Sequence, residues 1–230
     1  YTDVDGVYSS DPRIIENVKQ LENVTYDEML ELASLGAKVL HNRCVEIGKN
    51  YEVPIYVKST FKNDSQGTRV IENKNLESLY ITGVAKDDNI TRITIVGLEN
   101  KIGRTYKVFK LLSENKINID AIVQSAGEHA VKDVSFTIKN TETKKVLKIL
   151  NENLIELGAK EIMHCDKLSK ISVVGVGITN NPGVAAKVFE ALYENNINMH
   201  MVSTSEIKIS VLVNKKEANL ALKAIHDKFY

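Results

Sequence analysis

An α/β (α+β) architecture with two ferredoxin-like βαββαβ units, the first inserted in the second, is predicted by three observations. The first is an internal repeat, the feature that most constrains architecture. Shifted by 80 residues, 100–125 (NKIGRTYKVFKLLSENKINIDAIVQS) overlays 180–205 (NNPGVAAKVFEALYENNINMHMVSTS) without a gap, matching at 100, 103, 107, 108, 109, 112, 114, 115, 117, 118 and 125. The second is periodicity: in both copies apolar residues alternate as in a strand, recur at helical spacing, and alternate again. The third is size and composition. The 230 residues are 43% hydrophobic and 26% charged, enough for a packed core and too apolar for disorder.

Taken along the chain, Thr25-Tyr26-Asp27-Glu28 is a capping box that opens a helix carrying Met29, Leu30 and Ala33 and breaking at Gly36. Val53–Lys58 is a short β-rich run with Pro54 at an edge or strand start. The polar turn-forming stretch 62–67 marks a linker. The first copy then reads as a strand around Ile93–Val96, a Gly loop, and a helix with Val108, Leu111 and Leu112. A strand pair follows (Ile119–Val123 and Val134–Ile138), then a helix over Lys144–Leu157 and a last strand at Glu161–His164. The second copy repeats this with Ile171–Val176, the strands Met199–Val202 and Ile207–Val213, and a helix Glu217–Phe229. Asn115 and Asn195 suit the left-handed residue that closes many helices. The second copy lacks a fourth strand of its own; Thr68–Ile71 or Tyr80–Val84 is the natural donor, which makes copy one an insertion in copy two.

Thirty basic residues balance thirty acidic ones, which argues against a general nucleic-acid binder. No long uncharged run suits a membrane span, and no secretory signal opens the chain. Cys44 and Cys165 form no C-x-x-C unit, so a cytoplasmic chain is expected and the sequons at Asn23, Asn63 and Asn89 read as chance. The five histidines (41, 129, 164, 200, 226) are scattered, and no catalytic triad, metal-ligand set or Walker A motif occurs. Asp3, Asp5 and Gly6, with Asp11-Pro12-Arg13, could hold Mg-nucleotide through metal-bound water and a guanidinium; an Asp-rich turn is the simpler reading. Lys38 sits at a helix break, where it could reach a phosphate or stay solvated. Asn100–Gly103 and Asn180–Gly183 lie between strand and helix, where backbone amides can bind a small carboxylate. Asp120 can meet an ammonium group, so the pair describes a free amino acid; a tight turn and a helix stop are the alternative. Duplication of the arrangement favours the ligand site.

These strings resemble the aspartate kinases over essentially the whole chain: TDVDGVY at 2–8, DPR at 11–13, VTYDEMLELA at 24–33 and GAKVLH at 36–41. NNPGVAAKVFEAL at 180–192 and STSEIKISVLV at 203–213 are similar to tandem ACT domains. The resemblance implies the C-terminal part of an amino-acid kinase domain (1–61), a linker with a possible donated strand (62–79), and ACT domains at 80–166 and 167–230. It implies an ATP site, with Mg2+, lined by Thr2, Asp3, Tyr8, Arg13 and Lys38, and phosphorylation of the L-aspartate β-carboxylate at the start of lysine, threonine and methionine biosynthesis. It further implies feedback by L-lysine, with threonine less favoured, at Asn100, Gly103, Asn118, Ile119, Asp120, Gln124, Asn198, Met199, Ser205 and Glu206. A homodimer or higher assembly through the ACT domains is implied as well.

Three departures qualify this. No KFGG-type motif or aspartate-binding set is present, and the chain opens Tyr1-Thr2-Asp3 without Met, so it reads as part of a longer protein that is inactive alone, with no catalytic residue of its own. Asn100-Lys101-Ile102-Gly103 replaces the usual Asp-Lys-Pro-Gly, and Thr105 stands where Ala is common; the lost charge and added bulk weigh against threonine, and Asp120 favours lysine. Asn42 replaces a usual Pro with small consequence. The second class of function is a stand-alone amino-acid-sensing subunit without catalysis, in which residues 1–60 are superfluous.

Overall fold

The computed structural model describes residues 3–36, 39–62, 65–72, 81–125, 130–179 and 181–230. Two compact units emerge, one from residues 1–87 with 170–230 and one from 88–169.

The chain first forms β1 (Asn23–Thr25), α1 (Tyr26–Ser34), α2 (Asn42–Asn50), β2 (Ile55–Val57) and β3 (Thr68–Ile71). The capping box is present: the Thr25 hydroxyl accepts from the Glu28 amide, and the Glu28 carboxylate accepts from the Thr25 amide at 3.0 Å. Met29 and Leu32 of α1 are buried with Val24, Val45, Val57 and Val70 in one core, which Ala85 and Val174 also enter. β3 lies centrally, parallel to β1 and antiparallel to β2, so Pro54 precedes an edge strand as expected. Beyond α1, Gly36 adopts φ +103°, and a Cβ there would lie 2.8 Å from the Lys86 carbonyl oxygen. Only glycine fits, and the helix breaks there.

Thr68–Ile71, one of the two candidate donor strands, is thus committed to this first sheet. Its Thr68 hydroxyl donates to the Leu21 carbonyl at 2.6 Å and accepts from the Val7 amide at 2.7 Å. The donor is instead β4 (Gly83–Asp87), which overlaps the second candidate segment.

The inserted unit runs β5 (Ile90–Glu99), α3 (Arg104–Glu114), β6 (Ile122–Gln124), β7 (Val131–Lys139), α4 (Thr143–Glu152), α5 (Leu154–Leu157) and β8 (Glu161–Cys165). Its antiparallel sheet has the order β6-β7-β5-β8, packed on α3 and α4 through Ile93, Ile95, Val108, Leu112, Phe136, Val146 and Leu150. Two local expectations need correction. The single helix over 144–157 is broken at Asn153, whose side-chain amide donates to the Ile149 carbonyl and ends α4. Asn115 and Asn195 keep negative φ and bond the carbonyls of Leu111 and Ala191; the left-handed residues are the next ones, Lys116 (φ 57°) and Asn196 (φ 54°).

The chain ends with β9 (Leu168–Val174), α6 (Gly183–Glu194), β10 (Met201–Thr204), β11 (Lys208–Asn214) and α7 (Ala218–Asp227). The sheet order β10-β11-β9-β4 repeats that of the inserted unit, with β4 antiparallel to β9 from Gly83↔Val174 to Asp87↔Lys170. Its core unites Ile171, Val188, Leu192, Val211, Leu222 and Ile225 with Ile15 and Ile81 from before the insertion. In each copy the first strand of the pair begins later than the alternation implied, at Ile122 and Met201. The preceding residues are still tied to the neighbouring strand, for example by the Asp120 amide to the Thr137 carbonyl at 3.1 Å.

Candidate functional site

The acidic turn near the start is held by its own hydrogen bonds. Tyr8 donates its hydroxyl to Asp5 at 2.7 Å, and the Lys62 ammonium pairs with the other Asp5 oxygen at 2.7 Å. The Lys62 bond, then the Tyr8 bond, hold the Asp5 carboxyl below the usual aspartate range. A Cβ on Gly6 would lie 2.4 Å from the Gln20 amide nitrogen and 2.7 Å from the Thr68 hydroxyl, so the turn requires glycine. Arg13 grips its neighbour Asp11 through Nε and Nη2 at 2.9 and 2.7 Å, which lowers the Asp11 carboxyl. Its side chain is 82% exposed, so the pair adds little stability and leaves the guanidinium at the surface. Asp3 is exposed, and its backbone carbonyl accepts from the Ser59 hydroxyl at 3.3 Å. The arrangement thus joins Tyr8 to Asp5, one of the candidate carboxylates, and Asp5 to Lys62, which was not among the expected nucleotide residues. Thr2 and Lys38 lie outside the described residues.

In the inserted unit, Gly103 adopts φ +87° and opens α3 with nothing near a Cβ position, leaving the helix N-terminus accessible. Asn100 is exposed, its amide bonded to the Ala130 carbonyl at 2.7 Å. Gln124, in edge strand β6, accepts from the Thr105 hydroxyl at 3.0 Å, so the loop end of α3 is cross-linked to that strand. Asn118 is exposed and Ile119 packs against the core. Asp120 accepts from the Thr137 hydroxyl at 3.2 Å on β7. Gly103 and Gln124 are thereby drawn together through Thr105, whereas Asp120 is anchored to β7. Beside the loop, Arg104 and Lys101 both pair with Glu99, and the Arg104 bond is the chief cause of its lowered carboxyl pKa.

The second unit carries an open cleft of about 410 Å³ at the start of α6, lined by Asn181, Pro182, Ala185, Thr204, Ser205 and Glu206 among others. Ser205 and Glu206, two of the candidate effector residues, lie in its lining. Met199 packs against the core, and Asn198 is exposed outside the cleft lining. Thr179 closes one side by donating its hydroxyl to the Glu206 carbonyl at 2.6 Å. Asn181 lies in the Gly loop singled out in the sequence, whereas Ala185 and Thr204 were not among the expected residues, yet the 80-residue offset points to both. Ala185 corresponds to Thr105 and Thr204 to Gln124. The small side chains leave open in the second unit the space that a hydroxyl–amide bond bridges in the first. A helix N-terminus and a glutamate lining one cleft are the groups that suit the carboxylate and ammonium ends of a small zwitterion. Among the described residues no group of three His, Cys, Asp or Glu could hold a metal ion, and no helix is long and apolar enough to cross a membrane.

Comparison with known proteins reaches the same parts of the chain. The model of the ACT domain matches residues 93–154 and 171–229, and that of the amino acid kinase family matches 1–59. An aspartokinase of Bacillus sp. (strain MGA3) is 43% identical over the whole chain. The chain spans 56% of that relative's length. The regulatory subunit of aspartate kinase from Thermus thermophilus superposes with a TM-score of 0.63 at 34% identity, covering 66% of this chain and 99% of that one. Aspartokinase III of E. coli, solved with lysine and aspartate in its T-state, superposes with a TM-score of 0.77 at 25% identity over all of this chain and 51% of that one.

Proposed function

Because the chain belongs to the aspartokinase family, with an amino-acid-kinase segment and two ACT domains, we propose that it is the feedback-regulated part of an ATP-dependent aspartate kinase and that it binds L-lysine. The observation that carries this reading is the cleft at the start of α6, where Asn181, Pro182 and Ala185 at the helix N-terminus and Glu206 line one recess. The effector's carboxylate sits at the helix N-terminus and its ammonium groups meet acidic side chains, Glu206 here and Asp120 in the inserted unit. Threonine is the weaker candidate, because Thr105 already occupies the Gln124 carbonyl. The lysine-bound T-state of the E. coli relative supports the choice.

In the intact kinase, Arg13 and Tyr8, with Thr2 and Lys38, border the nucleotide, whose phosphates bring Mg2+. The residues fit that role in part: Arg13 is exposed and held fork-wise by Asp11, while Asp5 is already neutralised by Lys62. Phosphoryl transfer rests on clamping the transferring group from several sides. These 230 residues supply one wall, so they alone are expected to form no aspartyl phosphate from aspartate and ATP, as a hydroxamate assay would register. The edge strands β6 and β8 expose Ile122, Val123 and Met163, which suits pairing of ACT sheets in a homodimer or larger assembly.

Calorimetric titration tests the effector reading. Lysine should bind with measurable heat and raise the melting temperature; no heat and no thermal shift would exclude it. A stand-alone sensing subunit is the second reading, favoured by the near-complete coverage of the Thermus regulatory subunit. Against it stands Ile15, which is packed into the core of the second ACT unit and gives residues before 60 a structural place there.

A further inference from the structure

Glu28 is 3% exposed, and its two carboxylate oxygens face different parts of the same unit. Oε2 serves the capping box, accepting from the Thr25 amide at 3.0 Å and hydroxyl at 2.9 Å. The helix start needs no more than this. Oε1 accepts instead from the Thr82 hydroxyl and from the Val176 amide at 3.2 Å. Thr82 immediately precedes β4, the strand that completes the second ACT sheet, and Val176 opens the loop leading to the cleft residues Ile178, Thr179 and Asn181. One buried carboxylate therefore ties the first turn of α1 to the base of the cleft loop. One turn further along α1, Glu31 pairs with Lys208 of β11 at 2.8 Å. The same helix ends at Ser34, with Leu35 as its cap.

We infer that Glu28 is a positioning residue that couples the cleft of the second ACT domain to α1. The effector side of this coupling rests on the lysine reading above. The physical reason is that four donors share one buried carboxylate. Leaving a donor there unpaired is costly, so the loop at Val176 and the cap of α1 shift together or not at all. The link works in both directions, since coupling between sites is reciprocal.

Amide hydrogen exchange on the whole 230-residue chain tests it. Thr25→Ala and Glu28→Ala both break the capping box, but only Glu28→Ala also releases Thr82 and Val176. Without effector, exchange at 175–179 should be about tenfold faster in Glu28→Ala than in Thr25→Ala, with β10 and β11 unchanged; equal rates would overturn the coupling. Thr82→Val spares the cap and serves if Glu28→Ala does not fold; it should speed the same amides about threefold, and no change would overturn the coupling. With saturating lysine, exchange in α1 should slow about threefold in the native chain and respond less in Thr82→Val, although calorimetry still shows binding. An undiminished response in Thr82→Val overturns the inference. Failure of the native chain to bind lysine sinks the effector reading, while the effector-free rates still decide the loop-to-helix link.

Discussion

Single residues carry the junction between the kinase segment and the last ACT domain. His226 of α7 is 2% exposed, lies 2.9 Å from the Ser9 hydroxyl through Nε2, and stacks on Tyr230 with ring centroids 4.6 Å apart. Burial above all holds its pKa below the ordinary histidine value, against an opposing pull from Asp227 and a small push from Lys19. An unfolded imidazole takes its proton near pH 6.5. Below that pH the unfolded chain binds a proton that the native one refuses, so native stability is complete above about pH 6.5 and falls as the solution is acidified. Melting temperature should therefore decline from pH 7 toward 5.5, and His226→Gln should flatten that slope while costing about 1–3 kcal/mol at neutral pH. A slope unaltered by the substitution would assign the acid sensitivity elsewhere. At the other site, Thr105→Ala frees the Gln124 carbonyl and should tighten amino-acid binding by the inserted unit several-fold, read by calorimetry beside Ala185→Thr, which should weaken it in the second unit.

At the scale of elements, the apolar faces outweigh the caps. The capping box of α1 is worth about 1 kcal/mol, whereas a large buried side chain is worth about 3–5 kcal/mol against alanine. Phe136 of β7 is fully buried and meets Phe109 of α3 edge-on at 5.8 Å between centroids. Phe136→Ala should thus destabilise the 88–169 unit by about 3–5 kcal/mol, which exchange of the β5–β7 amides would show. Because the other unit has its own cores, its amides should keep their protection. Helix and strand identities were readable from periodicity, since a buried face imposes its spacing on the sequence. Their ends were not. Asn153 breaks α4 from α5 within an unbroken apolar pattern, and β6 starts three residues after Ile119, because local hydrogen bonds decide ends.

For the whole molecule, the insertion makes a firm statement about connectivity. The boundary residues of the inserted unit meet: the Ser169 hydroxyl donates to Asp88 at 2.5 Å. In the remainder, Asp87 and Lys170 are paired across β4 and β9. Residues 88–169 expressed alone should fold cooperatively, by circular dichroism and thermal melting. Joining Asp87 to Lys170 by Asn-Gly should turn β4 and β9 into a hairpin, with the remainder folding without the insertion. A remainder that stays unfolded would mean that the insertion is required for it.

Much of this was legible in the residues themselves. The repeat of 100–125 at 180–205, the capping box and the Gly loops are local or periodic, and such patterns survive reading without coordinates. The expected effector residues Ser205 and Glu206 fall in the cleft for the same reason, being close in sequence to its edge strand. What tertiary structure alone decided is long-range pairing. Thr68–Ile71 and Gly83–Asp87 are both short β-prone runs, and only packing assigns one to β1 and β2 and the other to β9. The Lys62–Asp5 pair, the Ser9–His226 contact and the Glu28 bridge to Thr82 and Val176 join residues 54 to 217 positions apart. No spacing rule links such residues, because their encounter depends on how buried apolar faces bring whole elements together.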